Sequence, residues 1–104
     1  MNDVSTHFFA IGIRKLAAEH QAGKPCSDTK REVDQLIQSM RDIMGPDKAY
    51  QVQKWSQLLE DLNLYNNSRV DPRWETIITH ARNRIKTRKR TAMFYKNRFR
   101  KETQ

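Results

Sequence analysis

At 104 residues, with three glycines, three prolines and one cysteine, the chain has room for a single domain and too few turn-formers for a β-sandwich or barrel. The lone Cys26 cannot close an intrachain disulfide, and a net charge of +8 directs attention to anionic partners without deciding the fold. The longest early apolar run, Phe8 to Ile13, is too short for a signal-peptide core, and no stretch approaches the roughly 20 apolar residues of a membrane span. The expected compartment is the cytoplasm, with the nucleoid or nucleus open to a nucleic-acid-binding chain.

The spacing of apolar residues predicts an all-α fold. A first helix near 6–21 is capped by Ser5 or Thr6, gathers Phe8, Phe9, Ile13, Leu16 and Ala17 on one side, and stops at Gly23 and Pro25. Gly12 weakens this helix by about 0.5–1 kcal/mol relative to alanine and marks a close approach by a neighbour. A second helix near 29–44 carries Val33, Leu36, Ile37, Met40, Ile43 and Met44 as one apolar stripe. Thr29 and Glu32 have capping-box spacing at its start, Lys30, Arg31, Asp34, Gln38 and Arg41 lie on its wet side, and Gly45-Pro46 ends it. A third, near 47–64, begins around Asp47 and turns Val52, Trp55, Leu58, Leu59 and Leu62 to a single face. Asn66 to Val70 reads as a loop, because Asn and Ser side chains compete for backbone hydrogen bonds.

Asp71-Pro72 is the sharpest punctuation, since Asp accepts from an orphan N–H and Pro at the first helical position loses no needed donor. The fourth helix, near 72–85, buries Trp74, Ile77, Ile78, Ala81 and Ile85. Its basic continuation and tail occupy 86–104. The whole is expected to be a small bundle of three to four antiparallel helices. The long basic C-terminal helix extends beyond the body formed by residues 1–85.

The charge is concentrated in that last segment. From His80 to Gln104 there are ten basic residues against one acid, which leaves ten basic and eleven acidic residues in the first 79. The ten are Arg82, Arg84, Lys86, Arg88, Lys89, Arg90, Lys96, Arg98, Arg100 and Lys101. A favourable helix C-terminus explains two or three cations but not ten. Phosphate-backbone contacts with DNA or RNA are therefore the expected work of this segment, with these ten residues as candidates. Phe94, Tyr95 and Phe99 are available either for base stacking or for an interface. The alternative is an adaptor or inhibitor whose basic tail docks on an acidic protein. Residues Trp74, Ile78, Ala81, Ile85, Arg88, Ala92, Tyr95 and Phe99 follow a heptad-like seam, which offers a second copy a surface for a homodimer. The dispersed apolar residues of the tail disfavour a membrane surface.

Catalysis finds no support in the pattern. His7, His20 and His80 are scattered without metal-ligand spacing, Glu60-Asp61 point in different directions on a helix, and no glycine-rich phosphate loop occurs. No enzyme activity, catalytic residue, metal or cofactor is expected.

Overall fold

The computed structural model of the chain describes residues 4–65 and 72–102, and the side chains of residues 6–64 and 72–97 within them. Four helices account for it: α1 Val4–Gln21, α2 Cys26–Met44, α3 Lys48–Leu62 and α4 Pro72–Glu102, with a 3₁₀ turn at Asn63–Tyr65. No strand occurs among the described residues. The expected loop Asn66 to Val70 and the expected cap Asp71 lie outside them.

Local chemistry explains most of the boundaries. Asp47 caps α3 as its position suggests, its Oδ1 accepting from the N–H groups of Ala49 (3.0 Å) and Tyr50 (3.2 Å). Gly45, at φ 80°, closes α2 in a conformation that a Cβ would strain. The amide of Gln51 then folds back to donate to the Gly45 carbonyl at 2.5 Å.

Two expected caps are not formed. α1 already begins at Val4, so Ser5 and Thr6 lie inside its first turn. α2 begins at Cys26 behind Pro25, which places Thr29 inside the helix and fully buried. There its hydroxyl donates to the Pro25 carbonyl at 3.1 Å, the backward bond of a helix-interior threonine, and not to a capping box. Glu32, the expected second half of that box, pairs with Lys24 instead.

The interior is apolar and continuous. α1 contributes Phe9, Ile13 and Leu16, α2 Val33, Ile37, Met40 and Met44, and α3 Trp55, Leu58 and Leu62. α4 adds Trp74, Ile77, Ile78, Ala81, Ile85 and Ala92, while Leu36, Val52 and Leu59 are partly buried at the margin. Ile77, Ile78 and Ile85 are sealed completely, at roughly 1.5–3 kcal/mol each, and fasten α4 to the body. Where α1 meets α2, a Cβ on Gly12 would come within 2.7 Å of Leu36 Cδ1, so the glycine marks a close helix approach.

α1 and α4 each pack on both α2 and α3. Between α2 and α4 the paired residues rise together, Asp34 with His80 and Arg84, then Gln38 with Arg88. Between α3 and α4 they run oppositely, Lys48 with Tyr95 and Asn63 with Arg82. α4 has 31 residues against 15 to 19 in the other helices, so at 1.5 Å per residue it is about 46 Å long. The molecule measures 53 × 27 × 21 Å.

Candidate anion-binding surface

The packing of α4 sorts its cations by direction. With the isoleucines and Ala92 turned inward, the flank against α2 carries His80, Arg84 and Arg88. Asp34 Oδ1 accepts from Arg84 Nε at 3.3 Å and lies 2.9 Å from His80 Nε2. Arg88 Nη2 donates to Gln38 Oε1 at 2.8 Å, a neutral acceptor that leaves the charge uncompensated.

A second row looks away from α2. At 100° per residue, Arg82, Lys86, Lys89 and Lys96 fall within an arc of about 80°. Arg82 Nη2 reaches Asn63 Oδ1 at 3.3 Å. Lys86 and Arg90 are exposed, Lys89 and Lys96 half-buried, and none of these four has a hydrogen-bond or ion-pair partner among the described residues. Arg82 with Lys86 and Lys86 with Arg90 are like charges one turn apart, each pair unfavourable by about 0.2–0.5 kcal/mol. The ten basic candidates thus do not form one patch: the α2-side row and the outer row face different directions. Arg98, Arg100, Lys101 and Phe99 lie outside the residues whose side chains are described.

Phe94 is 60% exposed and meets Tyr95 edge to face, with ring centroids 5.4 Å apart. Tyr95 leans on the start of α3, where the Lys48 ammonium stands 5.6 Å from its ring centroid.

Two concavities border the α2-side row. A trough of about 580 Å³ between α2 and α4 is lined by Arg31, Asp34, Gln38, Arg84, Thr87 and Arg88, among others. A cleft of about 100 Å³ follows, bordered by Arg41, Lys48, Gln51, Arg88, Thr91 and Tyr95 over a floor that includes Trp55 and Ala92. Arg31, Arg41 and Lys48 are absent from the sequence-derived set. They lie 34 or more positions from Arg82 in the chain, and only tertiary packing brings them to α4. The local signal was the position of Arg31 and Arg41 on the wet face of α2.

Among the described residues no group of three or more His, Cys, Asp or Glu side chains is arranged to hold a metal ion. No helix there is long and apolar enough to cross a membrane. Away from this surface Lys24 bridges α1 and α2: its hydrogen bonds to Glu19 and Glu32 raise its pKa, and the bond from Lys24 lowers that of Glu19. No family model, curated protein or solved structure matches this chain.

Proposed function

We propose that this chain is a non-enzymatic nucleic-acid-binding protein, for DNA or RNA, and that α4 is its contact element. The observation that supports this reading is four cations of α4 without partners among the described residues, exposed Lys86 and Arg90 and half-buried Lys89 and Lys96, on a helix anchored to the body by Ile77, Ile78 and Ile85. In this reading successive helices form antiparallel hairpins, and the basic end of α4 carries Arg98, Arg100 and Lys101 beyond the body. Phosphate contacts dominate the affinity, so sequence preference is weak.

A second reading, an acidic protein partner, draws on Met93 and Phe94, which are 43% and 60% exposed beside these cations. An apolar patch rimmed by positive charge fits an acidic amphipathic segment.

The test is fluorescence anisotropy with labelled duplex DNA, single-stranded DNA, RNA and an acidic polypeptide. If 6–10 phosphates are contacted, affinity falls about 10³ to 10⁵-fold between 50 and 200 mM salt. Replacing Lys86, Lys89 and Arg90 by Gln lowers the salt slope by about three. A flat salt response sinks the proposal, and binding of the polypeptide alone transfers it to the acidic-partner reading.

A further inference from the structure

We propose that the junction of α2, α3 and α4 is a binding site for a single phosphate group, held by Arg41, Lys48 and Arg88. As to where that phosphate comes from, a nucleic-acid backbone, the inference rests on the reading above; the site chemistry does not.

Three cations from three different helices border one small cleft, and the fold brings them there from distant parts of the chain. Each is held or left available in a way that suits an anion. Arg88 spends one N–H on Gln38, which fixes the guanidinium while its remaining donors stay open. Lys48 is steadied over the Tyr95 ring. Arg41 has no hydrogen-bond or ion-pair partner among the described residues. The acid nearest to Lys48 in the chain, Asp47, turns its carboxylate to Ala49 and Tyr50. Converging like charges repel, and a bound anion reverses the sign of that interaction.

Size and floor select the ligand. At about 100 Å³ the cleft has room for one tetrahedral oxyanion. Trp55 and Ala92 beneath it are 1% and 2% exposed, so the site rests on apolar ground where charge-assisted hydrogen bonds are stronger than in bulk water. Arg88 and Thr91 also border the 580 Å³ trough, which continues past Arg84 and Arg31. Along that trough Arg84 pairs with Asp34 and Arg31 with Asp28, so the charge left for a phosphate lies at the cleft, on the side of α4 facing away from Lys86 and Lys89.

The experiment titrates the full ¹⁵N-labelled chain with inorganic phosphate, and separately with a short single-stranded oligonucleotide, at constant ionic strength balanced with chloride. Three variants are compared: Arg41→Gln/Arg88→Gln, the charge-preserving Arg88→Lys, and the outer-row Lys86→Gln/Lys89→Gln. Unchanged circular dichroism establishes that each is folded. Phosphate is expected to shift resonances in 41–51 and 88–95. Arg41→Gln/Arg88→Gln weakens phosphate and oligonucleotide about tenfold or more, Arg88→Lys retains part of the phosphate affinity, and the outer-row variant leaves the phosphate titration unchanged.

If the oligonucleotide binds while Arg41→Gln/Arg88→Gln behaves as wild type toward both ligands, the phosphate site is overturned and the nucleic-acid reading stands. Phosphate binding without oligonucleotide binding keeps the site, assigns it to a free phosphate and removes the nucleic-acid reading. Shifts spread evenly over all basic residues, or no binding of either ligand, overturn the site.

Discussion

Gly12 illustrates how one missing methyl group sets a helix contact. Alanine there gains about 0.5–1 kcal/mol of helix propensity, but its Cβ would stand 2.7 and 2.9 Å from the two Leu36 methyls. Those methyls are the far end of a half-buried side chain, so Leu36 must give way before the gain in propensity is realised. Gly12→Ala is therefore expected to raise the urea midpoint more in a Leu36→Ala background than in the wild type. An equal midpoint shift in both backgrounds contradicts the contact. The glycine was legible because nothing else accounts for it inside a helix. Thr29 was misleading because its hydroxyl suits a cap and an interior back-bond equally, and Pro25 decided where α2 starts.

Lys24 supplies the residue-scale pH dependence. Its folded pKa is raised, so its contribution is complete below the unfolded value and is lost as pH rises through the folded one. Glu19 is lowered, so its contribution is present above the unfolded value and disappears as pH falls through the folded one. Lys24→Met should therefore reduce stability most between about pH 5 and pH 10, with the gap to wild type closing at both extremes. A gap independent of pH would assign the effect of Lys24 to packing.

For the elements, α4 places stability and binding in opposition. Lys86→Glu replaces two like-charge pairs, with Arg82 and Arg90, by two attractive ones, so it should stabilise by roughly 0.8–2 kcal/mol at low salt. The same change should weaken nucleic acid, since a phosphate contact becomes a repulsion. Urea denaturation and anisotropy on one variant check both signs, and loss on both counts would mean that Lys86 supports the fold. The apolar seam of this helix was readable from Trp74 to Ala92 because burial follows the 3.6-residue period. The division of its cations into two rows was not, because it depends on where α2 and α3 lie. The same reason hides Arg41 and Lys48, which periodicity assigns only to solvent-facing positions of their own helices.

Across the whole molecule, a net charge of +8 makes the folded state self-repelling, and salt screens that repulsion with a Debye length near 10 Å at 0.1 M. Stability should rise with sodium chloride, and rise further with phosphate at equal ionic strength, because a ligand bound only by the folded state adds to its stability. Equal effects of the two salts would leave screening alone as the cause.

The polar pairs between α2 and α4 also bear on helix register. His80, Arg84 and Arg88 recur every four residues opposite Asp34 and Gln38, which are themselves four apart. Such a ladder tolerates a slide of one turn, about 5.4 Å, that brings Arg84 opposite Gln38, with donors and acceptors still matched. The order of side-chain sizes beneath it does not. One direction of slide drives Arg88 into the sealed place of Ala92, and the other drives Ile85 into that of Ala81. Two alanines thus act as the stops of a sliding scale, and they fix which cations meet which face of the protein.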